Sequence, residues 1–226
     1  MNGLRHELKY TLHKDAATVL KQRLSLLLPF DNNANPNGEY YVTSLYFDTI
    51  DADAYFEKMD GVQTRRKYRI RFYNQNLDFI RLECKEKFDS MTKKRQARLS
   101  LPLAKQIIAT QIEGLEIGGE PVLQEFLIDL KTRHLVPSVI VDYRRTAFVH
   151  ESLDVRITFD EHIHSRVFDI DLFEPTFSGV KVHEDAESVI EIKFDEILPY
   201  PVWAILNSVP LSRQAISKFA LCRGMQ

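Results

Sequence analysis

Residues 65–73 read RRKYRIRFY and residues 80–87 read IRLECKEK. Side chains alternate across a β-strand, so every second residue shares a face. Arg65, Lys67, Arg69, Arg71 and Tyr73 then line one side of the first segment, against Tyr68, Ile70 and Phe72 on the other. The second segment repeats the pattern, with Arg81, Glu83, Lys85 and Lys87 opposed by Ile80, Leu82 and Cys84. Neighbouring strands with matched cationic faces repel one another unless something strongly anionic lies against them. The pair therefore predicts both a sheet and an anionic ligand.

The same two-faced pattern recurs along the chain. Polar faces carry Glu7 and Lys9 beside Arg5, Lys94 with Arg98, Arg156 with Asp160, and Glu191 with Lys193. The opposite faces are aliphatic and aromatic. A sheet wetted on one side normally mixes signs and uses Thr, Ser and Gln freely, whereas here Lys and Arg outnumber Glu. Helical segments are numerous enough to cover the apolar side. The reading is an α+β fold in which about eight antiparallel strands close into a barrel, charged inside and helix-covered outside. A dry interior cannot hold so many unpaired charges, so the barrel is expected to be a wet tunnel occupied by polyanion.

Composition narrows the partner. Lys and Arg number 30 against 32 Asp and Glu, a net charge of −2, so there is no global basic field of the kind that binds nucleic acid. The aromatics are read on the apolar faces, away from the cations, which also disfavours a single-stranded nucleic-acid platform. Cys84 and Cys222 lack metal-ligand spacing, and Cys84 reads as a small buried hydrophobe. His162 and His164 alternate without a third ligand in view. No Gly-rich phosphate loop occurs, so phosphate binding must come from side chains. The start, MNGLRHELKY, is too charged for a signal peptide, and no apolar run is long enough to span a bilayer. A cytoplasmic protein is expected, and the chain, 1–226, reads as a single domain.

Elements are placed by periodicity and capping. Strands are expected over 5–13, 40–48, 62–73, 78–88, 92–99, 137–149, 153–160, 165–173 and 187–196. Helices are expected over 15–28 with Asp15 as cap, and over 51–59, 102–112, 120–134, 202–207 and 211–223. Glu7, Glu83 and Glu191 stand among the cations. Each is either a counter-ion or a ligand to Mg²⁺, which needs only one or two protein carboxylates when phosphates complete its shell.

Eight stretches in order resemble the polyphosphate polymerase (VTC) domain, the catalytic domain of the vacuolar transporter chaperone complex, within the triphosphate tunnel metalloenzyme (CYTH-like) superfamily. They are RHELKY at Arg5, SLYFDT at Ser44, KYRIRFY at Lys67, LECKEK at Leu82, DYRRTAF at Asp142, VRITFD at Val155, VIEIKFDE at Val189 and SKFALC at Ser217. The resemblance implies an ATP-dependent enzyme that grows inorganic polyphosphate through the pore. It implies phosphate contacts at Lys9, Arg69, Arg71, Lys85, Lys94, Arg145 and Arg156, with Tyr143 beside them. It implies that Glu191 carries Mn²⁺ or Mg²⁺ and that Lys218 is needed for turnover. Arg65 and Arg66 compete for one further phosphate contact, and the alternation favours Arg65.

One departure bears on the reaction. Hydrolytic relatives of the superfamily typically open with Glu-x-Glu-x-Lys, whereas this chain has Arg5-x-Glu7-x-Lys9. Replacing that carboxylate by a cation should weaken a second metal site and water activation, favouring transfer over hydrolysis. A triphosphate hydrolase of the same fold and a non-catalytic polyanion-binding module are the alternatives. With neither a membrane span nor a regulatory segment expected ahead of the barrel, translocation and phosphate sensing are not implied.

Overall fold

The computed structural model describes residues 6–88, 91–115, 119–167, 171–173, 179–182 and 187–224, the side chain of Met91 aside. Arg5 lies outside them. Strand β1 (His6–His13) runs straight into helix α1 (Lys14–Ser25), so the N-cap falls on the last strand residue, His13, and not on Asp15. Strand β2 (Glu39–Asp48) leads to α2 (Asp53–Met59), and then come β3 (Arg65–Tyr73), β4 (Asn76–Phe88) and β5 (Met91–Leu99). Asn74 and Gln75 both have positive φ, 49° and 55°, the hairpin geometry whose twist matches the strands it joins. Helices α3 (Leu101–Ile108) and α4 (Pro121–Thr132) precede two long strands, β6 (Val136–His150) and β7 (Val155–Arg166).

The remaining elements are β8 (Val180–Lys181), β9 (Glu187–Phe194), α5 (Tyr200–Leu206), β10 (Ser212–Arg213) and α6 (Lys218–Arg223). Two expectations shift here. Ser165 and Arg166 close β7 instead of opening a new strand; 171–173 is a turn, and 168–170 lie outside the described residues. The helix expected from Leu211 starts only at Lys218, capped by the Ser217 hydroxyl, because the preceding segment pairs with β1.

The ten strands among the described residues form one antiparallel sheet in the order β10-β1-β9-β7-β6-β2-β3-β4-β5, with β8 on β7. Five strands separate β1 from β4 in that order, yet Lys85 Nζ on β4 bonds both Glu7 carboxylate oxygens on β1, at 3.1 and 3.0 Å. The sheet is therefore curled so that its charged face looks at itself across the concavity. Among the described residues it is not closed by hydrogen bonds, which corrects the expected closed, eight-stranded barrel. The reason is local. The outer edge of β1 is taken by the chain's own return, with Ser212 and Arg213 paired to Thr11 and Tyr10, and the Gln214 N–H donating to the Lys9 carbonyl at 3.0 Å. That edge has little left to offer β5, whose own free edge carries Lys and Arg, the usual protection against stray pairing.

The apolar faces are buried outward in two cores. Helices α3 and α4 cover Leu45, Tyr68, Ile70, Ile80, Leu82, Cys84 and Ile140. Helices α1 and α5 cover Phe148, Ile157, Phe159, Ile190 and Ile192. A third cluster lies inside the curl, where Val139, Val141, Tyr143 and Val189 seat Phe219 and Cys222 of α6. Charged-in and apolar-out, expected from period-two patterning, holds, with an apolar seat for α6 added.

Phe126 on α4 is fully buried against Phe47 and Tyr68, at ring separations of 5.0 and 4.8 Å. Phe126→Ala should lower the unfolding free energy by about 3–5 kcal/mol, read from the urea midpoint. A loss below about 1 kcal/mol would mean that α4 does not anchor this core.

Candidate functional site

Register orders the inner face into rows that cross the strands. On one wall, Lys67, Lys85 and Lys94 stand side by side on β3, β4 and β5. The next row is Tyr46, Arg69, Glu83 and Gln96, and the one after it Ser44, Arg71, Arg81 and Arg98. On the facing wall Lys9, Glu191 and Thr158 are aligned, as are Glu7, Lys193 and Arg156. Asp160 stands opposite Arg145, which stands opposite Tyr40.

Two carboxylates hold the arginines in place. Glu83 is 1% exposed and accepts from Arg69 Nε at 2.7 Å and Nη2 at 2.5 Å; it also pairs with Lys94, and Arg71 lies 3.9 Å away. Burial pushes its carboxyl up, but Arg69, Arg71 and Lys94 overcome this and hold it well below the carboxylate range. Asp160, fully buried, takes a two-pronged contact from Arg145 at 2.6 and 2.8 Å and the Lys218 ammonium at 2.5 Å. Burial opposes its charge, and the same two cations restore it.

Tyrosine hydroxyls supply the remaining acceptors. Tyr143 accepts from Arg71 at 3.1 Å and Arg145 at 3.3 Å, with Lys218 5.1 Å from its ring centroid. Burial pushes the Tyr143 phenol up to about 12, so it stays protonated at neutral pH. Tyr46 accepts from Arg69 at 2.8 Å, and Tyr40 from Arg156 at 2.9 Å. Tyr143 is the tyrosine that the family resemblance sets beside these cations, whereas Tyr40 and Tyr46 are expected, with the other aromatics, on the apolar faces. Tyr40 and Tyr46 stand instead on the charged face, their hydroxyls bound to arginine. The alternation of Tyr40, Ser44 and Tyr46 within YYVTSLYFD carried that signal. Asp31, which pairs with Arg156 at 2.6 Å, comes from a loop and gave none.

The sequence-predicted cations Lys9, Arg65, Arg69, Arg71, Lys85, Lys94, Arg145 and Arg156 all belong to this face. Arg66 points to the outer side, bonded to Asp129 and the Tyr68 hydroxyl at 3.1 and 3.2 Å. Arg65 lies toward the start of β3 and donates to the Val62 carbonyl at 2.5 Å. Glu83 is a counter-ion.

Glu191 bonds Lys193 at 2.9 Å and stands opposite Lys9, which pairs with Glu7 at 3.0 Å. Burial raises the Glu191 carboxyl, yet Lys193, Lys9, Lys218 and Lys85 hold it well below its ordinary value. Glu7 is close enough to Glu191 that each feels the other's charge. No group of three His, Cys, Asp or Glu able to hold a metal occurs among the described residues. Two ionised carboxylates on adjacent strands suit a hard divalent ion whose other ligands are phosphate oxygens, and do not make an all-protein cage.

With this geometry in place, the comparisons decide the family. The VTC domain model matches residues 4–225. The chain belongs to the VTC domain family. Its fold is similar to that of bh2851 of Bacillus halodurans, a candidate adenylate cyclase, at 16% identity and a TM-score of 0.52, covering 92% of this chain and 89% of that one. It is also similar to the PH1819 protein of Pyrococcus horikoshii OT3, at 12% identity and a TM-score of 0.50, covering 98% and 100%. No curated protein sequence matches closely enough to add to this. No helix among the described residues of the VTC domain is long and apolar enough to cross a membrane.

Glu83→Gln leaves the Arg69 guanidinium largely buried without its counter-charge, and should destabilise the fold by about 3–5 kcal/mol. Tripolyphosphate, as a substitute anion, should raise the melting midpoint of this variant more than that of the wild type. An equal rise in both would show that Glu83 and the added anion do not serve the same cations.

Proposed function

We propose that this VTC domain is, as one domain, a polyphosphate polymerase that transfers the γ-phosphate of ATP to the end of a growing inorganic polyphosphate chain. The observation that carries the reading is the convergence of Arg69, Arg71, Arg145 and Lys218 around the Tyr46 and Tyr143 hydroxyls on a concave face. Planar guanidinium forks and compact ammonium groups suit phosphate oxygens. Glu83 and Asp160 hold these cations ready without filling every donor site.

Phosphoryl transfer needs positioning and charge neutralisation more than covalent help. Arg69, Arg71 and Arg156 would grip the transferred phosphoryl group. Lys9, Lys85, Lys94 and Arg145 would neutralise the adjoining phosphates, with Tyr143 donating its hydroxyl proton. A terminal phosphate oxygen of the chain forms a bond to the γ-phosphorus, the bond from that phosphorus to the bridging oxygen of ADP breaks, and ADP leaves with the electron pair. No general base is required, since the attacking oxygen is already largely ionised. Lys218 can turn to phosphate because Arg145 still holds Asp160 when it does. Glu191, with Glu7, would hold a divalent ion, Mn²⁺ or Mg²⁺, which supplies further neutralisation of phosphate charge.

The test is incubation of the purified protein with ATP and Mn²⁺ or Mg²⁺, with products run on a polyphosphate gel. A ladder is expected. Phosphate release without chain growth would indicate a hydrolase of this fold, and intact ATP despite tight binding would indicate a non-catalytic module. Lys218→Ala should abolish synthesis while ATP binding stays nearly intact; equal loss of binding would make Lys218 a ligand instead. Arg69→Ala should weaken ATP binding by about 1.5–3 kcal/mol in calorimetry, the scale of a charge-assisted hydrogen bond. Glu191→Gln should abolish metal-dependent turnover, and full activity in that variant would remove Glu191 from metal binding.

A further inference from the structure

Residues 197–211 read ILPYPVWAILNSVPL and hold no charged side chain, in a protein of which 27% is charged. One side of this segment is buried: Val202 and Leu206 of α5 belong to the core shared with α1. The other side is not. Tyr200 and Trp203, one turn apart on α5, stack with ring centroids 5.8 Å apart and planes 23° apart, and are 75% and 50% exposed. Ile197, three residues before Tyr200, is 81% exposed. Single exposed apolar side chains are ordinary, but a contiguous group that includes aromatic rings marks a contact surface.

The rim of this group is acidic. Strand β7 pairs with β9 as far as Arg156 opposite Lys193, so the turn before β7 and the chain after β9 leave the sheet together. Val155 and Leu198, which follow the two points of departure, belong to the same core. The turn adds Leu153, itself exposed, with Glu151 and Asp154; the chain after β9 adds Asp195 and Glu196. Residues 150–154 and 194–211 together hold four carboxylates and neither Lys nor Arg. The sign is opposite to that of the concave face.

We infer that Leu153, Ile197, Tyr200 and Trp203 form a docking surface for a basic amphipathic segment of a partner protein. The apolar side of that segment covers the stacked rings, and its Lys or Arg residues meet the four carboxylates. Trp and Tyr anchors inside a polar rim are the usual source of affinity in protein contacts, and rim charges of opposite sign steer and select the partner. The rim also decides between occupants. Anionic lipid headgroups and polyphosphate are repelled by it. A second copy docking by the same face across a two-fold axis would set these carboxylates against their own counterparts. The surface lies on the outer side of the sheet, so the inference stands apart from the polymerase reading.

Trp203 is the one tryptophan of the chain, so its emission reports on this surface alone. The probe is a synthetic helical peptide of Leu and Lys in amphipathic order, compared with its Leu and Glu counterpart. The Lys peptide should bind saturably and shift the emission to the blue as the indole leaves water, with the Glu peptide at least about tenfold weaker. Ile197→Ser/Tyr200→Ser, which keeps the reporter, should lose about tenfold in affinity for the Lys peptide, and so should Glu151→Lys/Glu196→Lys. All four side chains are exposed, so the melting midpoints should match that of the wild type. No shift with the Lys peptide, equal affinity for the Glu peptide, or unaltered binding by both variants overturns the inference. A blue shift with phosphatidylcholine or phosphatidylglycerol vesicles but not with the Lys peptide overturns it in favour of a membrane contact. A blue shift on raising protein concentration alone, with a dimer in sedimentation, overturns it in favour of an interface between copies.

Discussion

The structure depends on reconciling many like charges on one concave surface. Burying cations side by side is unfavourable unless each is paired or hydrated. The fold manages this with very few acids, placed where they count. Glu83 serves three cations and Asp160 two, and both are inaccessible to solvent. The two carboxylates fix guanidinium orientation from behind, so the arginines present a preset arrangement to whatever enters. Preset donors cost little reorganisation on binding, which is the main protein contribution to phosphoryl chemistry.

The tyrosines complete this arrangement. A hydroxyl accepts from an arginine without cancelling its charge, so Tyr46, Tyr143 and Tyr40 orient Arg69, Arg71, Arg145 and Arg156 while leaving the positive potential intact. Their rings add cation–π contacts at 5.2–6.0 Å to Arg69, Arg71 and Arg145. Carboxylates in the same positions would hold the arginines as firmly but would neutralise the surface.

Much of this was legible in residue order because period two is a strong local signal. It placed Arg65 inside and Arg66 outside, and it set Cys84 in a core. What escaped was what depends on distant chain segments. Sheet closure hinged on residues 212–214 taking the β1 edge, which no pattern in that short stretch announces. The partner of Arg156 is a loop aspartate 125 positions away. The aromatics of β2 were misplaced because hydrophobicity alone assigned them a side, whereas alternation with Ser44 assigns Tyr46 to the other. The start of α6 slipped for a similar reason, since an amphipathic segment was recruited as an edge strand before the helix began.

The ordering of the inner face into cross-strand rows has a consequence for transport of anything along it. Successive rows lie two residues apart, roughly 6.6–6.8 Å along the strands. The positive potential over this wall is therefore uneven along the strands: weakest around Glu83, which offsets Arg69 and reaches Lys94 and Arg71 on the rows to either side, and stronger towards Lys67 at one end and Arg81 and Arg98 at the other. A threaded anion would advance by hopping between wells instead of gliding over a uniform field, and the single buried carboxylate between them would set the height of each hop.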